Sequence, residues 1–191
     1  MYKITGDSQY LQKFNQFKTT INNGSKTPGG MWFIQQWGSV RHAANAAFLF
    51  ASSGDKAAAK EQIDFILGKR ALNAYNWLQN GCGIIQNIFL GHGSKGTPMI
   101  DGKAGSYLIG YGSNYPTKPH HGSASCPATG TCDWNDFNSP NDNPWILHGA
   151  IIGGPQSPVD NLTNDRGNYV TNEVAIDYNA GFQGVLAALL S

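Results

Sequence analysis

Two short segments hold the residues best suited to chemistry. In the first, the polar run Asp160-Asn161-Leu162-Thr163-Asn164-Asp165-Arg166-Gly167-Asn168 leads into Tyr169-Val170-Thr171-Asn172-Glu173-Val174-Ala175-Ile176-Asp177-Tyr178. A carboxylic acid at a loop–helix junction, with a second carboxylate one turn later, is an arrangement that acid-catalysed bond cleavage can use. Such an acid must carry its proton at working pH. The first turn of a helix favours the anion, whereas Asp177 at i+4 opposes it by like-charge repulsion. The plainer reading of these residues alone is that Glu173 complements a helix dipole. Arg166 has Asp165, Asp160 and Glu173 as candidate ion-pair partners, and scaffolding of the loop competes with ligand contact as its role. In the second segment, Pro119-His120-His121, the histidines read as ligand contacts, metal ligands or loop filler. Adjacent residues rarely point at one metal, and no Cys or carboxylate spacing completes a zinc site, so no metal is expected.

The elements that must position these groups read as helices. Tyr10, Leu11, Phe14, Phe17 and Ile21 recur at spacings of three and four after Asp7-Ser8, and Asn22-Asn23-Gly24 stops the pattern. A second helix is predicted from Gln35 to Ala51, with small residues that let a neighbour approach closely. His42 lies within it as a packing residue. A third runs from about Lys56 to Leu67, with Asp55 as cap and Gly68 as stop. The last runs from about Asn172 to Leu190, with Val174, Phe182, Val185, Leu186 and Leu189 on its apolar side. Thr27-Pro28-Gly29-Gly30 is a turn. Between the helices lie two long irregular regions, residues 69–103, with a short helix around 72–79, and residues 110–165. Loops this long are commonly functional. The expected fold class is all-α, a helical hairpin array with long irregular loops at one end that build a groove.

Composition bounds the partners. The 191 residues suffice for one domain. A net charge of +1 supplies no electrostatic footprint for nucleic acid or an anionic membrane, so neither partner is expected. No apolar run is long enough to span a membrane. Only 13% of residues are charged while 12% are aromatic; amides beside flat rings suit a neutral, hydroxyl-rich ligand, and the same composition fits a loop-rich extracellular protein equally well. Trp32, Trp37, Trp134 and Trp145 are candidates for stacking on sugar, with packing preferred for Trp37. Cys126 and Cys132 bracket a short loop that a disulfide can close in an oxidising compartment, leaving Cys82 over. Two sequons, Asn23-Gly24-Ser25 and Asn161-Leu162-Thr163, are permissive for secretion. A secreted, extracellular location is expected, although the first residues lack the apolar stretch of a signal peptide.

Three ordered segments resemble the cellulases of glycoside hydrolase family 9. They are Thr27 through Trp32, Trp37 and Arg41 to Asn45; Ser106 through Tyr111 and Asn114 to His121; and the Glu173 segment. The resemblance implies a partial (α/α)6 hairpin barrel, with residues 1–191 a single incomplete catalytic domain and residues 69–103 an insertion within it. It implies hydrolysis of internal β-1,4-glucosidic bonds with inversion. Glu173 is then the general acid, Asp165 a supporting catalytic residue, and His120, His121, Arg166 and Tyr169 substrate contacts. The implied partner is a β-glucan or cello-oligosaccharide. No cofactor is expected, the calcium that often accompanies the family having its ligands mostly outside these residues.

The chain also departs from the family pattern. An inverting enzyme needs a second carboxylate roughly 6.5–9.5 Å from the acid, and the family's Asp-Ala-Gly-Asp motif for that base occurs nowhere in the chain. Gly122 stands where an arginine normally follows the histidines. Asn164 and Asn168 stand for aspartates, and Leu162 for an aromatic. Alternatives to turnover by this chain are a carbohydrate-binding relic without catalysis and a structural subunit. An open half-barrel exposes apolar stripes, which self-association or a partner is expected to cover.

Overall fold

The computed structural model describes residues 2–68 and 97–191. A single-turn α1 (Tyr2–Thr5) precedes α2 (Ser8–Asn23). Asp7 caps α2 by accepting from the Gln9 N–H, and Gly24 closes it, both where the sequence places them. Only Ile21 of this helix is buried, while Phe14 and Phe17 meet the ring of Phe50 edge-on at 6.4 and 6.5 Å.

Helix α3 (Ser39–Ser52) is the central element. It begins four residues later than the predicted Gln35 because Gly38 adopts a left-handed φ of 66°, which the preceding chain cannot carry into a helix. Its inner face is Val40, Ala43, Ala44, Ala47 and Phe50, all fully buried. Helix α4 (Lys56–Ile66) packs on it, with Asp55 accepting from the Ala58 N–H and Gly68 at φ 68° ending the run. The predicted helix at 72–79 and most of residues 69–103, expected as an insertion, lie outside the described residues.

Residues 99–104 form a hairpin instead of loop. Strands β1 (Met99–Ile100) and β2 (Lys103–Ala104) pair antiparallel in the register Met99↔Ala104 and Ile100↔Lys103. Asp101 and Gly102 between them have φ of 49° and 76°, the positive values that a tight two-residue turn requires. Beyond the one-turn α5 (Gly122–Ser125) and α6 (Trp134–Phe137), strand β3 (Asn161–Leu162) joins β1 in parallel. This patch is small enough to leave the chain all-α in class.

The last helix departs from its predicted start. A single turn, α7 (Tyr169–Asn172), is capped by Asn168, whose side chain accepts from the Thr171 N–H. The chain then extends through Glu173 at ψ 145°, and α8 begins only at Ile176, running to Leu190. Val174 therefore sits outside the helix, bridged to Ile152. Along α8, Tyr178, Phe182 and Val185 enter the core against α3. Gly181 permits that approach, because a Cβ there would fall 2.1 Å from Asn45 Oδ1.

Candidate active site

Glu173 stands in the extended link between α7 and α8, neither in the first turn of a helix nor one turn below Asp177. Both local electrostatic arguments drawn from a continuous helix therefore lose their geometry. The link is held by backbone pairing. His120 N–H donates to Asn172 O at 2.7 Å, His120 bridges Glu173, and the Gly153 N–H donates to Glu173 O at 2.8 Å. The loop carrying the histidines and the chain carrying the acid are thus fixed side by side.

The half-buried Glu173 carboxylate has two protein donors, and both reach the same oxygen. Trp37 Nε1 donates to Oε2 at 2.7 Å and the Tyr178 hydroxyl donates to it at 2.6 Å. Oε1 has no hydrogen-bond partner among the described residues. Trp37 is 41% exposed and is not the packing residue expected for it. Gln35, Trp37, Arg41, Glu173, Asp177 and Tyr178 border a cavity of about 400 Å³. Across it, Arg41 pairs with Asp177 at 2.7 Å and lies over the Tyr178 ring at 4.7 Å. Burial, reinforced by the Glu173 carboxylate, pushes the Tyr178 phenol well above its ordinary value, so it remains a donor. His42, half-buried beside Arg41, is held below its ordinary value first by burial and then by that cation.

His120 and His121 diverge. His120 Nδ1 faces the Arg166 carbonyl at 2.7 Å, and since a carbonyl only accepts, Nδ1 carries a proton, which in the neutral ring leaves Nε2 as the acceptor. His121 Nδ1 accepts from the Ala124 N–H at 3.2 Å and caps α5. No group of three or more His, Cys, Asp or Glu side chains among the described residues is placed to hold a metal ion. Tyr169 joins the acid's surroundings through its ring, 5.3 Å from Trp37 and 6.0 Å from His120.

Arg166 pairs with none of Asp165, Asp160 or Glu173. It is 3% exposed, and its guanidinium donates to the side-chain oxygen of Asn143 and to the carbonyls of Phe137 at 2.7 Å, Ser139 at 3.0 Å and Asn141 at 2.8 Å. These acceptors belong to one loop, so the buried cation acts as its clamp. Asp160 instead accepts from the Gly29 N–H, and Asp165 from the Gly167 N–H. Asp165 and Arg166 border a second hollow, also about 400 Å³, with Lys118, Phe137, Ser139 and Asn164. Asp165 therefore does not share the Glu173 cavity, whereas Asp177 does.

The two asparagines at positions where the resemblance implies aspartates are both engaged. Asn168 caps α7, and Asn164 Oδ1 accepts from the Thr117 and Lys118 N–H groups at 3.1 and 2.8 Å, tying the histidine loop to the Arg166 loop. Among the tryptophans, Trp32 is 4% exposed and packs 4.6 Å from Phe50, a core residue and not a stacking platform. Trp134 and Trp145 are exposed. Cys126 and Cys132 form the anticipated disulfide; Cys82 lies outside the described residues.

Trp37, weighed in sequence as a stacking or packing residue, Arg41 and Tyr178 were not expected beside Glu173. A helix drawn from Asn172 turns Asp177 toward Glu173, whereas the break at 173–175 brings Tyr178 there instead. Trp37 comes from 136 residues away, a distance at which spacing carries no signal.

The profile of glycosyl hydrolase family 9 matches residues 1–76 and 101–186. An endoglucanase of Dictyostelium discoideum is 36% identical over 168 residues, covering 86% of this chain and 19% of that protein. The endoglucanase of the termite Nasutitermes takasagoensis, solved at pH 2.5, is 41% identical with a TM-score of 0.75, covering 99% of this chain and 38% of its own. The cellulase Cel9M of C. cellulolyticum, solved in complex with cellobiose, is 28% identical with a TM-score of 0.69, covering 98% and 37%. The chain thus spans well under half the length of these relatives. Its helices form part of an (α/α)6 barrel, and the chain belongs to glycosyl hydrolase family 9.

Proposed function

We propose that these residues form part of an endo-β-1,4-glucanase domain that cleaves internal bonds of cellulose-type glucans with inversion, Glu173 protonating the leaving oxygen. The observation that carries this reading is the one-sided tethering of the carboxylate. With Oε2 accepting from both Trp37 and Tyr178, the catalytic proton sits on Oε1, the oxygen left for substrate. His120, with Nε2 as a hydrogen-bond acceptor, and the half-exposed ring of Tyr169 contact the sugar beside the acid. His121 and Arg166 serve it by fixing the loops, and Asp165 supports it from the neighbouring hollow. Cellobiose in the Cel9M complex supports a cello-oligosaccharide as ligand. Secretion fits the Cys126–Cys132 disulfide, and no described helix is long and apolar enough to cross a membrane.

The water-activating base is the open role. Asp177 faces the same cavity but is held by Arg41, and no Asp-Ala-Gly-Asp motif is present. The pairing of Asp177 with Arg41 favours a second reading, a glucan-binding surface without turnover. Exposed Ile34, Phe48, Leu49, Ile176 and Leu190 are apolar surface for further barrel helices or a second copy to cover.

Hydrolysis of carboxymethylcellulose by the purified chain, read beside cellotetraose binding, separates these readings. Hydrolysis that falls roughly 10²–10⁴-fold in Glu173→Gln while binding persists supports the acid. Hydrolysis indifferent to that substitution refutes it. Binding without hydrolysis in either protein selects the second reading.

A further inference from the structure

Trp134 is 75% exposed, its ring meeting only that of Phe137 edge-to-face among the described aromatic pairs. The loop carrying it is nevertheless held from three directions. The Cys126–Cys132 disulfide closes it on one side. Asp133 and Asp136 cap α6 reciprocally. The buried Arg166 takes the carbonyls of Phe137, Ser139 and Asn141 on the other side. Burial of the indole does not explain this fixing, because the indole is not buried.

A row of rings links Trp134 to the candidate acid. Trp37, which donates to Glu173, lies 5.3 Å from Tyr169. Tyr169 lies 6.0 Å from His120, His120 lies 5.6 Å from Phe137, and Phe137 lies 5.6 Å from Trp134. Phe137 also borders the second hollow, where Lys118 and Asp165 offer polar groups to hydroxyls. Indole and phenyl faces take up the apolar faces of pyranose rings, and a rigid exposed indole does so with little ordering cost.

We propose that Trp134 is an outlying platform for a β-1,4-glucan chain whose reacting bond lies at Glu173, so that the loop of residues 126–141 lengthens the binding track. This rests on the glucanase reading of the Glu173 site. Trp134 is a specificity residue, deciding which chain lengths bind tightly, and takes no part in bond cleavage.

The test is calorimetric titration of cellotriose and cellohexaose into the chain, Trp134→Ala and Trp134→Phe. Loss of one stacking contact is expected to weaken cellohexaose about three- to tenfold in Trp134→Ala, with Trp134→Phe retaining most of the affinity and cellotriose unchanged. Unchanged cellohexaose affinity, or equal losses for both lengths, overturns the platform and leaves the Glu173 reading standing. Failure of the unaltered chain to bind either oligosaccharide overturns both.

Discussion

Trp37 and Glu173 stand 136 residues apart in the chain and are joined by a 2.7 Å hydrogen bond from the indole Nε1 to the carboxylate Oε2. Gly38, left-handed at φ 66°, ends the lead-in that presents the indole, and α3 starts immediately afterwards. The bond therefore connects the entry of the central helix to the link before the last one. It orients the acid and leaves the other oxygen to the cavity.

Trp37→Phe keeps a ring against Tyr169 and deletes the donor. A hydrogen bond to a neutral carboxyl group is worth about 0.5–1.5 kcal/mol, so kcat on carboxymethylcellulose is expected to fall roughly two- to tenfold, with KM changing less. Equal effects of Trp37→Phe and Trp37→Ala would show that the indole N–H contributes nothing.

Tyr178 sets the alkaline behaviour. Burial and the neighbouring carboxylate raise its phenol above the ordinary value of 10.0. The native state then holds a proton that the unfolded chain releases near that pH. The resulting stability is complete below the unfolded value and is lost as pH rises toward the native one. Tyr178→Phe is expected to be about 1 kcal/mol less stable near neutrality, through loss of the hydrogen bond to Glu173. Its Tm should fall less steeply above about pH 10. Parallel Tm–pH curves for the two proteins would contradict this.

Gly181→Ala tests the α3–α8 contact. Alanine gains about 1 kcal/mol of helix propensity, but its Cβ would lie 2.1 Å from Asn45 Oδ1 and 2.8 Å from the Asn45 Cα and N. The backbone cannot yield cheaply, so a net loss of about 1–3 kcal/mol in urea unfolding is expected. Gly184→Ala meets only the ring of Phe48, a half-exposed side chain that can rotate, and should cost less.

The helices were largely legible because local chemistry marks them. Asp7, Asp55, Gly24 and Gly68 act at the termini their types suggest. The small residues of α3 announce the close approach that Gly181 completes. Glu173 and His120 were legible through their segments, and the structure sets them in adjacent backbone. Three features were not. The break at 173–175 has no glycine or proline to mark it; Val174 is drawn out of the helix by its bridge to Ile152. Arg166 lies beside Asp165 in sequence yet bonds to residues 23 to 29 positions earlier, because burial rewards many acceptors above one exposed carboxylate. Trp32 and Trp37 look alike as letters, and only the fold sends one into the core and the other to the acid.

The Arg166 clamp has a consequence for how the loop it holds can vary. A main-chain carbonyl is the same at every residue, so three of its contacts, at Phe137, Ser139 and Asn141, do not depend on which side chains those positions carry. Only Asn143 is bonded through its side chain. The clamp thus tolerates changes of side chain at Asn138 and Asn141, which can carry new groups toward a ligand while the loop keeps its path, whereas the Ser139 hydroxyl adds its own tie by accepting from the Asn141 N–H.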